Sequence, residues 1–258
     1  MGRIGEGPVK AGTETEYKIM VGEADFYRFM REMEEDGRFA QSRTLNLNYY
    51  YDDDRHTLHE GDVTLRVRRR GPTLKLELKT PHDAPVPTGG VQGLGKRTGA
   101  PSPERLSAAH SREGLSAAPD PERRAELSVP ITEMPLSFDV KGSPFEALLP
   151  HVGRVSLRGQ LVTDRIAFVM AAPEDDGDPG ARRAPGLEVA FDVSYYLGEV
   201  DHEIEVEFHG SRAEEARLLA ERYAGCAVGH VGAGAAPRMG KRDRLFRRLT
   251  EMAGYPPH

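Results

Sequence analysis

Polar and apolar positions alternate in eight separate stretches of this chain, the period of a half-buried strand rather than of a helix. Residues 13–21, 44–52, 62–70 and 73–80 read as strands, the last two joined by a turn at Gly71-Pro72. The pattern returns at about 125–131, 154–170, 186–197 and 200–209. Helical spacing is confined to short stretches. Phe26, Met30 and Met33 share one face of a helix over 22–36, which Asp36-Gly37 ends. Ser211 and Glu214 have capping-box spacing for a helix over 212–224. A last helix is expected over about 241–252, and a short one over 143–149. The sum is about eight strands and a few helices. Most strands are sequential and joined by short turns, which favours antiparallel pairing.

Five of these strands carry charge on their polar face. Residues two apart share a face. Glu14, Glu16 and Lys18 share one; Arg66, Arg68 and Arg70 share another. Lys75, Glu77 and Lys79 lie opposite Leu74, Leu76 and Leu78. Glu188 and Asp192 lie opposite Leu187, Val189, Phe191 and Val193. Glu203, Glu205 and Glu207 lie opposite Ile204, Val206 and Phe208. One such strand is simply a sheet with a wet face. Several rows of like charge are costly unless counter-charges or ions neutralise them. A sheet closed with its charged faces inward, and its apolar faces covered by helices, resolves this. Its interior is a polar tunnel with acidic rows for hard divalent metals and basic rows for phosphate oxygens.

Composition narrows the setting. The 258 residues carry a formal net charge of −6, which disfavours general nucleic-acid binding through a basic surface. The single cysteine, Cys226, cannot form an intrachain disulfide and reads as a small apolar filler. No apolar stretch approaches the ~20 residues needed to span a bilayer, and the Gly-rich stretch from Met1 to Pro8 has no signal-peptide core. The expectation is a cytoplasmic protein. The segment 82–122 is rich in Pro, Gly, Ser and Ala and poor in large apolar residues, so a flexible insertion is expected there. The acidic stretch Pro173–Pro185 reads as a hairpin loop.

An ordered series of motifs resembles the CYTH, or triphosphate tunnel metalloenzyme, superfamily. Glu14-Thr15-Glu16-Tyr17-Lys18 is similar to its ExExK signature. Asn48 to Asp52 resembles its tyrosine-rich second strand, Leu65 to Arg69 its LRxR strand, and Leu76 to Pro81 the next, Lys-ending strand. Thr163-Asp164-Arg165 resembles a TxR element, Leu187 to Asp192 an acid-bearing strand, and Glu203 to Glu207 the late ExE strand. The series spans about residues 12–250 as a single domain. The resemblance implies an α+β protein, an eight-stranded antiparallel closed β-barrel with covering helices. It implies Mg²⁺ or Mn²⁺ held by Glu14, Glu16, Asp192, Glu203, Glu205 and Glu207, with two of the last three sufficing. It implies phosphate binding by Lys18, Arg66, Arg68, Lys79, Arg165 and Lys241, with Glu205, Lys79 and Arg165 closest to the chemistry. Two features depart from the family: Gly240-Lys241-Arg242 replaces a Ser-Lys pair, and the 82–122 insertion is long.

The expected partner is a small triphosphate or polyphosphate, and a homodimer is open. The leading activity is hydrolysis of a terminal phosphoanhydride. The alternatives are a class IV-type adenylyl cyclase and a non-catalytic polyphosphate- or nucleotide-binding module. Competing motifs are weaker. The stretch Gly234 to Arg242 fails as a phosphate loop, because Ala235 and Arg242 break its pattern. His56 and His59 read as surface residues of a turn. Tyr49, Tyr50 and Tyr51 read as packing, and Arg69 as exterior.

Overall fold

The period-two segments become strands because their leucine, valine and aromatic positions all fall on one side, which a pleated sheet can bury. The computed structural model describes residues 8–81, 120–170, 186–225 and 239–254. The stretch 82–119, the loop 173–185, Cys226 and Gly234-Ala235 lie outside the described residues. In chain order come β1 (Lys10–Met20), α1 (Glu23–Glu34), β2 (Ala40–Asp52), α2 (Thr57–Glu60), β3 (Thr64–Arg70), β4 (Thr73–Pro81) and β5 (Glu122–Ile131). Then follow β6 (Ser137–Asp139), β7 (Arg154–Met170), β8 (Leu187–Tyr196), β9 (Glu199–Phe208), α3 (Ala213–Ala224) and α4 (Lys241–Met252). Among the described residues, no helix is long and apolar enough to cross a membrane.

Eight strands run in the order β2-β3-β4-β5-β1-β9-β8-β7, and β7 pairs back onto β2 to close the ring. Every pairing is antiparallel, and β6 is added outside the ring along the start of β7. The closed barrel has the expected strand number, with one extra strand. β6 has three residues, too few for a periodic signal. Residues 143–149 form successive turns instead of the expected helix, bounded by Gly142 at φ 81° and by Pro150. α3 begins at Ala213, and its N-cap Arg212 makes no side-chain cap hydrogen bond. Glu214 pairs with Arg217 one turn on.

The apolar faces point outward, as inferred. One outer core joins Tyr17, Ile19, Phe191, Ile204 and Val206 to Phe26, Phe29 and Met33 of α1 and Tyr223 of α3. A second joins Tyr51, Leu65, Val67, Leu76, Leu78 and Val129 to Phe138, Phe145 and Leu149, from the segment before β7. Tyr49 and Tyr51 therefore pack, as expected. α4 behaves differently. Its Leu245 and Phe246 pack on Tyr50, Leu161 and Tyr196, which belong to the inward faces of their strands. It plugs one end of the barrel rather than covering its wall. Gly159 permits the approach: a Cβ there would lie 3.2 Å from the Leu245 and Leu249 side chains.

Gly159→Val should push α4 out of its seat and cost about 1–3 kcal/mol, as overpacking does. A lowered Tm in a thermal melt checks this; an unchanged Tm would remove α4 from the plug.

Candidate active site

The inward residues of the ring converge on one cavity of about 100 Å³. Eleven of the residues expected from sequence line it: Glu14, Glu16, Lys18, Arg66, Arg68, Lys79, Arg165, Asp192, Glu205, Glu207 and Lys241. Glu203 does not. It lies 1% exposed beneath the floor, with Lys241 Nζ at 3.0 Å and Arg244 Nη2 at 2.5 Å.

Acids predominate on one wall and arginines on the other, because strand order places β1, β9 and β8 side by side, opposite β2 and β3. On the acidic wall, Glu16 and Glu207 are cross-strand partners, as are Glu207 and Glu188. Lys79 pairs with Glu14, and Lys18 lies 2.7 Å from Glu16 and 2.9 Å from Glu122. Burial opposes charge on Lys18, but Glu16 and Glu205 outweigh it and raise its pKa. Among the described residues no lysine or arginine pairs with Glu207; His209 Nε2 is 3.8 Å away. Burial, then Glu14, Glu16 and Glu188, push its carboxyl up to about 8.

Toward the α4 end the charges balance. Arg165 holds Asp192 through two 2.7 Å hydrogen bonds and also pairs with Glu205. Lys241, the first residue of α4, reaches Asp192 at 2.8 Å and Glu205 at 2.5 Å. Burial would raise the Glu205 pKa, but Lys241 and Arg165 hold it well below the usual carboxylate range. Asp192 is held low in the same way, chiefly by Arg165 against burial.

On the basic wall, Glu77 donates no proton and accepts from Arg66 Nε at 2.8 Å, with Arg68 Nε at 3.6 Å. Burial alone would raise the Glu77 carboxyl; Arg66 first and Arg68 next hold it at about 2. Arg66 Nη2 is buried without a hydrogen-bond partner among the described residues, and Arg66 lines the cavity.

Several lining residues escaped the sequence reading. Glu122 and Arg124 belong to β5, which begins three residues before its expected start. The alternation of Glu122, Arg124 and Glu126 against Ala125, Leu127 and Val129 was the available signal. Asn46 carries no charge and left none; Asn48 and Thr163 appeared only as members of the family-like motifs, without a role. His59 is a correction. It is no plain surface residue, for its ring stacks on Phe246 at 5.1 Å and its Nδ1 lies 3.4 Å from Asp243. The amphipathic face of α4 drew it inward. His56 is exposed, as expected.

The donor chemistry fits a hard divalent cation. Glu14, Glu16 and Glu207 offer carboxylate oxygens in a region where acids outnumber bases enough to raise Glu207. Among the described residues no group of three His, Cys, Asp or Glu side chains is placed to hold a metal ion, and Glu16 and Glu14 are paired with Lys18 and Lys79.

The architecture is the triphosphate tunnel fold: a closed antiparallel barrel around a lumen of facing acids and bases. It is shared with the crystal structure of a candidate adenylate cyclase from Bacillus halodurans, at 19% identity, over 92% of this chain and 98% of that one, with a TM-score of 0.52. A candidate adenylyl cyclase from Hippeastrum, described as having a dominant triphosphatase activity, matches at 14% identity over 95% and 97%, with a TM-score of 0.49. The PH1819 protein of Pyrococcus horikoshii matches at 16% identity over 92% and 98%, with a TM-score of 0.46. No family model and no curated protein matches the sequence. At such identities the likeness speaks for the fold alone.

The Arg66–Glu77 pair gives a pH prediction. The Glu77 pKa is depressed on folding, so the pair stabilises above its ordinary value of 4.5 and fades as pH falls toward 2. Glu77→Gln should cost about 3 kcal/mol near neutral pH, because it leaves Arg66 buried and uncompensated. Urea denaturation of both proteins should show that gap closing near pH 2. A gap independent of pH would refute the pairing.

Proposed function

We propose that this protein is a metal-dependent triphosphatase, hydrolysing the terminal phosphoanhydride of an inorganic or organic triphosphate inside the barrel. The two-sided lining carries this reading. Eight acidic and eight basic side chains line the cavity. Such a lumen has no net attraction for a bare polyanion. It suits a triphosphate that brings a divalent cation: phosphate oxygens meet the β3 arginines, and the cation meets the β1 and β9 glutamates.

Mg²⁺ or Mn²⁺, held by Glu14, Glu16 and Glu207, would supply charge neutralisation at the phosphate oxygens and a more acidic water. Arg66 and Arg68, held by Glu77, bind phosphate oxygens with fixed guanidinium planes. Lys18 and Lys79 reach inward from strands on either side of β5 and neutralise charge that builds up on the leaving group. Asp192 and Glu205 are each gripped by Arg165 and Lys241, so they fix those two cations in place. Glu205, kept ionised, accepts a hydrogen bond from water and orients it; so low a pKa makes it a weak base.

Cyclisation of ATP is the second reading, favoured by the name of the Bacillus halodurans neighbour. It requires contacts for a base and a ribose. Tyr50 is the one aromatic residue lining the cavity among the described residues, and it is 1% exposed, packed in the α4 plug. A purely binding role leaves the acidic wall without a purpose, since anion binding needs no row of glutamates.

Tripolyphosphate, thiamine triphosphate or ATP, with Mg²⁺ or Mn²⁺, should release orthophosphate. Cyclic AMP and pyrophosphate from ATP would establish the cyclase instead, and no turnover of any of them would sink both. Arg165→Ala and Lys79→Ala should each lower kcat about 10²–10³-fold. Glu16→Ala should abolish metal-dependent turnover, and equal activity would overturn the site.

Metal affinity should rise from about pH 7 to pH 9, as Glu207 gives up the proton held to about pH 8. A calorimetric titration of Glu207→Gln should show that dependence flattened.

A further inference from the structure

The arginine row on β3 outruns the cavity. Arg66 and Arg68 line it, while Arg70, next on the same inward face, is exposed at its rim. Side-chain exposure climbs from 8% at Arg66 to 24% at Arg68, so this end of the barrel opens outward. A strand rises about 3.4 Å per residue, which sets Arg70 about 14 Å along the wall from Arg66. Three linked phosphoryl groups are shorter than that.

The partners of the three arginines change in step. Arg66 has the Glu77 carboxylate at 2.8 Å. Arg68 shares it at 3.6 Å and donates Nε to Asn48 Oδ1 at 3.1 Å. Arg70 donates Nε to Asn46 Oδ1 at 3.1 Å, and among the described residues no carboxylate pairs with it. Register produces the repeat, since Asn48 faces Arg68 and Asn46 faces Arg70 across the β2–β3 ladder. An asparagine carbonyl aims a guanidinium and cancels none of its charge. Glu188, across the lumen, feels Arg70 but lies 3.9 Å from Arg165. Uncancelled positive charge therefore grows toward the rim, with the guanidinium of each rim-side arginine oriented.

We propose that Arg70, aimed by Asn46, is a distal anion subsite that takes the fourth or a later phosphoryl group of a linear polyphosphate and so sets chain-length preference. The proposal rests on reading the cavity as a phosphate site. Arg70 binds the chain beyond the reacting anhydride and takes no part in bond breaking.

Arg69 supplies the control. It is adjacent, exposed and of equal charge, but it sits on the outer face with its Nε on Gly71 O. Binding of inorganic tripolyphosphate and inorganic tetrapolyphosphate to the full chain is measured by calorimetry with Ca²⁺, and phosphate release is assayed in parallel. The wild type should bind the longer chain about tenfold tighter, as one further charge-assisted contact would give. Arg70→Gln should bring that ratio close to one, and Arg69→Gln should preserve it. A wild-type ratio near one, a ratio indifferent to Arg70→Gln, or an equal fall in Arg69→Gln overturns the subsite. Failure of both chains to bind overturns it together with the phosphate site. Binding with the expected ratios but no phosphate release leaves the subsite standing and removes the triphosphatase reading alone.

Discussion

A barrel lined with ionised side chains must neutralise them from within, and the rest of this structure answers that demand. Removing a charge from water costs several kcal/mol unless a partner of good geometry replaces the solvent. The strand order supplies those partners. It sets Glu77 between Arg66 and Arg68 and brings Asp192 and Glu205 to Arg165, while α4 adds Lys241 to both. Around Asp192 and Glu205 the inward charges are held by neighbours that are themselves held.

Because the interior is polar, the hydrophobic effect acts on the outside of the ring. α1 and α3 cover one half of the outer wall, and the segment from β6 to β7 covers another. Apolar burial thus sustains a fold whose centre contributes little of it. α4 links the two regimes. Its Leu245 and Phe246 close the end of the barrel, while its first residue, Lys241, enters the lumen. A misplaced plug would therefore leave Asp192, Glu203 and Glu205 short of a cation.

Neutralisation is uneven along the lumen, and the unevenness is what ties structure to function. At the α4 end each carboxylate touches two cations. Farther along, Glu207 is crowded by Glu14, Glu16 and Glu188, while Arg66 keeps a buried donor without a partner. The first imbalance calls for a cation and the second for an anion. On the proposed function, one metal–phosphate ligand would meet both, and acidic and basic rows would then coexist for a reason in a chain of modest net charge.

Much of this was legible in the residues. Alternation marked the long strands, because a one-sided core imposes a period of two. The charged rows marked the lumen, because like charges in register need a reason. Eleven of the twelve expected site residues line one cavity. Other features had no local signal. Three-residue β6 is too short for a pattern, and Asn46 and Asn48 look like ordinary strand polars until their register places them on Arg70 and Arg68. Glu203 shares every sequence property of Glu205; only the seat of α4, with Arg244 beneath the floor, separates a buried counter-ion from a cavity carboxylate. By itself the sequence determined which side chains face inward, since that parity is a property of each strand. Which of them meet, and which keep an unmet charge, was decided by ring closure and the α4 plug, since ion pairing depends on distances between strands far apart in the chain.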